Sequence, residues 1–108
     1  MKAPLAALSA LTLAAVCSAA QAQDAPDGQA LYQQHCVKCH AEDGAAGTWR
    51  GLLYFAEDLS DADWQQRHDD AAILRAIQRG PGAMPAYAER LDEAQQQAVL
   101  QHVRSLRR

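Results

Sequence analysis

Cys36-Val37-Lys38-Cys39-His40 is the stretch that decides how this chain is read. Two thiols separated by two residues lie about one helical turn apart, and a histidine follows directly. This spacing lets each thiol add to one of the two vinyl groups of a haem and sets the imidazole under the iron as proximal ligand. Three rival readings use the same residues. A structural zinc site needs four nitrogen or sulfur ligands, commonly two pairs, and the chain has no second cysteine pair. A thioredoxin-like redox pair belongs at the start of a helix in a βαβ setting, and no segment shows strand alternation. A plain disulfide makes no use of His40. The expected cofactor is one covalently attached haem c, joined through Cys36 and Cys39 with His40 on the iron.

Upstream, Gly28, Leu31, Tyr32 and His35 fall at i, i+3, i+4 and i+7, one face of a helix that runs into Cys36. Asp27 or Asp24 is its N-cap. Further back, Lys2, a mildly apolar stretch from Pro4 to Val16 and the ending Ala20-Gln21-Ala22 form the three parts of a secretory signal. The stretch is short of the roughly 20 apolar residues that a membrane span needs. Val16 stands where lipid attachment at Cys17 needs a small residue. The expectation is a cleaved signal over residues 1–22, one domain over residues 23–108, and a periplasmic location, with membrane attachment only if the signal is retained. Cleavage removes Lys2 and Cys17, which leaves Cys36 and Cys39 as the thiols and moves the formal net charge from −3 to −4. Such mild acidity argues against nucleic acid, whose binders carry a basic patch. A domain of this size is marginal on its polypeptide core alone and gains from a cofactor.

Downstream, glycines 44, 47 and 51 break any period from Ala41 to Gly51, which reads as loop. Leu52 to Asp58 fits either loop or a short turn of helix. Ser60-Asp61-Ala62-Asp63 caps a short helix through Trp64. A second helix starts near Asp69 or Asp70, carries Ile73, Ala76 and Ile77 on one face, and ends at Gly80-Pro81. Asp92 caps a last helix, with Gln95 at the reach-back position. Its apolar face is Val99, His102, Val103 and Leu106. Arg104, Arg107 and Arg108 gather at its end, where cations suit the helix terminus. The fold class is all-α.

Between the last two helices lies Gly80-Pro81-Gly82-Ala83-Met84-Pro85, which cannot hold regular structure. A lone methionine is commonly core filler. Met84 is set apart by its loop and by being the only methionine besides Met1. The glycines permit close approach to a haem face, Pro85 stiffens the loop, and a thioether is a soft ligand that favours ferrous iron. Met84 is therefore the expected distal ligand. Of the other histidines, His35 lies too near His40 to reach the opposite face. His68, in a polar run between helices, is expected in solvent, and His102 as a hydrogen-bonded core residue.

From Gly28 to Leu106 the chain resembles the class I cytochromes c. The match comprises a glycine- and tyrosine-bearing helix into C-x-x-C-H, a variable loop, a methionine loop of the G-P-x-M-P type and a capped terminal helix. The resemblance implies a cytochrome c fold, three to five helices wrapped around one covalently bound haem, with first and last helices crossing closely at Gly28 and Tyr32. It also implies Cys36 and Cys39 as thioether sites and His40 and Met84 as axial ligands. Two positions depart from the family: His102 replaces a usual aromatic, and Ala41 a frequent glycine. Trp49, Arg50, Tyr54 and Trp64 carry donors able to reach haem propionates.

A Met/His pair fills both axial positions, so the expected function is single-electron transfer rather than catalysis. Protein redox partners would meet the haem edge near Val37, Lys38, Ala83 and Ala86. Two alternatives stand beside a free carrier: an electron-transfer subunit of a periplasmic dehydrogenase or reductase complex, and a haem-based gas sensor in which Met84 dissociates.

Overall fold

Among the described residues, regular structure begins after Asp27, whose extended backbone (φ −83°, ψ 100°) lets its carboxylate accept the Ala30 N–H and open helix α1 (Gly28–His35). The computed structural model describes residues 1–4, 10–12, 14–15 and 24–108. Most of the expected export signal, including Cys17 and the Ala20-Gln21-Ala22 cleavage site, lies outside the described residues. α1 stops at Cys36 (φ −114°, ψ −31°), and the chain restarts as α2 (Val37–His40). There follow α3 (Trp49–Leu53), α4 (Ala62–Arg67), α5 (Asp70–Arg79) and α6 (Glu93–Ser105). No strand occurs among the described residues.

The six helical segments among the described residues exceed the expected three to five for two local reasons. The attachment helix breaks at Cys36, and α3 starts within what the glycines marked as loop and ends in residues 52–58, the stretch that fitted a short turn of helix. Thr48 is the cause of the second: its hydroxyl accepts the Gly51 N–H at 2.9 Å and caps a helix that starts before Gly51. Gly51 itself is fixed by proximity, since a Cβ there would stand 2.4 Å from the carbonyl oxygens of both Ala46 and Cys39. α4 is capped by Asp61, which accepts the Trp64 N–H at 2.6 Å, and not by Ser60. Ser60 is instead buried, with its hydroxyl on the Asp58 carboxylate. α5 is capped by Asp69 and ends on Gly80 in the left-handed region (φ 64°). α6 opens with the full Asp92–Gln95 capping box.

Packing centres on α6, against which α1 and α5 both lie. α1 crosses it at Gly28, where a Cβ would fall 2.1 Å from the Ala98 carbonyl oxygen, so only hydrogen permits this approach. Tyr32, Ile73, Ile77, Val99, Leu100 and Val103 interlock around the crossing, with Leu59, Tyr87 and Leu91 completing the core. Two buried glutamines are satisfied by main chain: Gln65 donates to the carbonyls of Leu59 and Val103, both at 2.8 Å, and Gln96 to that of Leu91 at 2.7 Å. The terminal arginines do more than suit a helix end. Arg104 pairs with Asp70 at 2.8 Å and donates to the carbonyls of Gln65 and His68, tying α4 and α5 to α6. Arg108 donates to the Ser60 hydroxyl at 2.7 Å.

Candidate functional site

The chain after His40 folds back to steady that residue. Ala41 takes φ +63°, Ala46 +58° and Phe55 +55°, a conformation uncommon for residues with a side chain. All three lie between His40 and Glu57, on the path that brings the Glu57 carbonyl to the imidazole. His40 Nδ1 donates to that carbonyl at 2.9 Å. A carbonyl only accepts, so Nδ1 carries the proton and Nε2 keeps its lone pair for a metal. Burial lowers the His40 pKa and favours the same neutral form, against the opposing pull of the Glu57 carbonyl. The Tyr32 hydroxyl donates to the Ala41 carbonyl at 2.6 Å, and the Thr48 hydroxyl lies 2.8 and 3.0 Å from those of Lys38 and Cys39. Each hydrogen bond fixes main chain beside the histidine.

Cys36 and Cys39 are unbridged and half-buried. Burial, with Cys39 close by, pushes the Cys36 thiol up to about 11. At neutral pH it is a protonated thiol and lacks the thiolate character of a dithiol redox centre. No group of three or more His, Cys, Asp or Glu residues suited to a metal ion occurs among the described residues.

Both cysteines and His40 line one cavity with His35, Tyr54 to Glu57, Pro81 to Pro85 and Tyr87. The Met84 loop is held from below by Gly80, where a Cβ would lie 2.3 Å from the Met84 carbonyl oxygen. The Met84 N–H closes onto the Pro81 carbonyl at 3.1 Å, and the Tyr87 N–H returns to Ile77 of α5 at 2.9 Å. The four expected site residues, three from one pentapeptide and Met84 from the loop between α5 and α6, thus share one cavity wall. Its surroundings are apolar, two cysteines are free on it and one imidazole nitrogen is unprotonated. This donor set fits a haem bound through two thioethers, with nitrogen and thioether sulfur as axial ligands.

Other expectations fared unevenly. Of the four donors proposed for propionates, Tyr54 reaches the cavity wall. Trp49 and Arg50 are exposed and face each other, with the guanidinium 5.1 Å from the ring. Trp64 stacks on His68 at 4.6 Å and packs against the core. His68 is therefore half-buried rather than in solvent, with Nδ1 donating to the Trp64 carbonyl at 2.7 Å. His102 is half-buried, and its ring packs against Tyr32 at 4.8 Å with no hydrogen bond of its own among the described residues. Lys38, Ala83 and Ala86 are exposed, whereas Val37 is half-buried. Glu57, Phe55, Thr48 and Tyr87 were not singled out from the sequence. Glu57 and His35 act through main-chain carbonyls, which leave no side-chain signature. Tyr87 carried one, an aromatic with a polar tip three residues after Met84.

A family model described as cytochrome c oxidase, cbb3-type, subunit III, matches residues 23–103. The FixP subunit of the cbb3-type cytochrome c oxidase of Bradyrhizobium diazoefficiens is 34% identical over 84 residues, which are 77% of this chain and 28% of FixP. Chloroplastic cytochrome c6 of Chlamydomonas reinhardtii is 29% identical over 103 residues, 92% of this chain and 66% of that protein. Among solved structures, the KustC0563 c-type cytochrome is 35% identical with a TM-score of 0.72, covering 76% of this chain and 99% of that one. The chain spans under a third of the length of the cbb3-type subunits it matches first, 28% for both FixP and the CcoP subunit of Azospirillum brasilense.

Proposed function

This chain belongs to the c-type cytochromes, in the family described as subunit III of cbb3-type cytochrome c oxidase, and from that premise we propose that it is a periplasmic carrier of single electrons. Its cofactor is haem c. In the proposed arrangement Cys36 and Cys39 hold the haem covalently, and His40 and Met84 ligate its iron. The observation that carries the reading is that these four residues line one cavity, with the His40 Nδ1 proton taken by the Glu57 carbonyl.

Haem c supplies a one-electron iron couple when bound. The chain's own residues set the conditions for it. The Glu57 carbonyl fixes the His40 tautomer and makes Nε2 the better donor. Met84 offers a neutral, polarisable sulfur, which favours the reduced iron. The turn at Gly80 and the prolines at 81 and 85 stiffen the loop, so the sulfur keeps its place in both oxidation states. Exposed Phe55, Ala83 and Pro85 give the cavity an apolar rim. Exposed Lys38, Ala83 and Ala86 beside the cavity are where a redox partner protein would approach, through the small, transient contact usual for such encounters. Residues 1–22 are the proposed export signal.

Absorption spectra of oxidised and reduced protein, wild type against Met84→Ala, test the ligand set. A sulfur-to-iron band in the red is expected for oxidised wild type and is lost in Met84→Ala. Haem retained without that band in wild type would remove Met84 as ligand and favour gas sensing, visible as carbon monoxide binding to the reduced protein.

A second reading draws on the cbb3-type oxidase subunits among the relatives: an electron-transfer module working within such a complex. Fractionation separates the two. Haem-stained chain in the soluble periplasmic fraction supports the free carrier, and chain that copurifies with a membrane oxidase supports the module.

A further inference from the structure

Tyr87 stands three residues after Met84, only 5% exposed, on the wall of the same cavity. Its hydroxyl donates to the His35 carbonyl at 3.1 Å, across 52 positions of sequence. The break at Cys36 is what leaves that carbonyl available. In an unbroken helix it would accept the Cys39 N–H, which here goes to the Cys36 carbonyl at 3.2 Å. The Tyr87 ring stands edge-on to the His35 ring at 5.3 Å and 66°. Its main chain belongs to the other side: the N–H is bound to Ile77 at 2.9 Å, and the carbonyl accepts from Leu91 at 3.0 Å. The remaining hydrogen bonds of residues 80–88 stay within the loop or return to α5. Among the described residues, the Tyr87 hydroxyl makes the one hydrogen bond between residues 80–88 and residues 28–40.

We propose that the Tyr87 hydroxyl is a positioning group, which sets the separation of the Met84 loop from the Cys36–His40 segment and so holds the Met84 thioether on the iron. The proposal rests on the Met84 ligation argued above. Tyr87→Phe keeps the ring in its packing and removes the tether alone. The loop then parts from the attachment segment more often, and a competing ligand gains by the same factor. A typical net hydrogen bond corresponds to a factor of about three to ten.

The test is an imidazole titration of oxidised, haem-loaded protein, followed at the sulfur-to-iron band, for wild type, Tyr87→Phe and Val99→Ala, with the thermal midpoint of each. Val99 is buried in α6 and absent from the cavity wall, so its truncation weakens the core without touching the tether. Tyr87→Phe is expected to lower the imidazole concentration at half-displacement about three- to tenfold. Val99→Ala is expected to lower the thermal midpoint at least as far and to leave that concentration unchanged. Equal half-displacement in wild type and Tyr87→Phe overturns the proposal. So does an equal shift in Val99→Ala, which would mark the effect as general destabilisation. Absence of the band in wild type overturns the Met84 ligation itself, and the tether with it.

Discussion

The α1–α6 crossing and the wall of the cavity are built by different means. At the crossing, side chains lock against side chains and against bare backbone: Gly28 admits the Ala98 carbonyl, and Tyr32, Val99, Leu100 and Val103 fill the space around it. On the cavity wall and in the chain next to it, side chains hold main-chain carbonyls. Tyr32 is bound to Ala41, Thr48 to Lys38 and Cys39, His40 to Glu57, and Tyr87 to His35. The three non-glycine residues at positive φ among the described residues also lie there, between His40 and Glu57. The crossing supplies stability through packing, whereas the wall spends conformational strain to aim a few atoms.

The largest effect should come from breaking the crossing. Gly28→Val forces carbon atoms into the 2.1 Å gap before the Ala98 carbonyl, and the helices must separate. The expected cost is about 3 kcal/mol or more, the upper end of overpacking, with a fall of at least about 10 °C in the thermal midpoint of the haem-loaded protein. The absorption bands below that midpoint should stay those of wild type. Gly80→Ala addresses the cavity side. It places a Cβ at φ +64°, 2.3 Å from the Met84 carbonyl oxygen. Left-handed strain of about 1–2 kcal/mol should lower the midpoint less than Gly28→Val does, yet weaken the sulfur-to-iron band. Were Gly80→Ala to match Gly28→Val in stability and keep the band, the division of labour would be wrong.

How much of this was legible in the sequence follows the same division. Periodicity marked Gly28, Tyr32, Ile73, Ile77, Val99 and Val103, because packing repeats with the helix. The Asp92 cap was legible outright, and the starts at Asp27 and Asp69 to within a pair of aspartates (Asp24 or Asp27, Asp69 or Asp70), because a cap needs a particular side chain at a particular step. The two candidate attachment cysteines and the two candidate iron ligands stood out in the sequence because their chemistry is restricted to few residue types. The wall was not. A carbonyl is the same at every position, so nothing at Glu57 or His35 announces an acceptor. The start of α3 escaped because Gly51 reads as a breaker until its contacts with Ala46 and Cys39 are known. The arginines at the end of α6 suited the helix terminus in sequence, and only the fold brings Arg104 to Asp70 and Arg108 to Ser60.

The smallest expected effect lies where the two regions meet. The Ser60 hydroxyl, bound to the Asp58 carboxylate, holds that carboxyl below the usual carboxylate range. A depressed carboxyl pKa stabilises the fold above its unfolded value of about 3.9, and the contribution fades as pH falls through the lower, folded value. Ser60→Ala should therefore flatten the decline of the thermal midpoint as pH falls below about 4. Because Asp58 is exposed, the change should be slight at neutral pH. An unchanged acid slope would show that the Asp58–Ser60 contact contributes nothing there.

The covalent attachment of haem through Cys36 and Cys39 is measured most directly by the mass of the denatured chain. Protein from cells competent in c-type cytochrome maturation should weigh one haem more than its polypeptide, and Cys36→Ala/Cys39→Ala should weigh the polypeptide alone. A wild-type chain from such cells at bare polypeptide mass would contradict the assignment of this site.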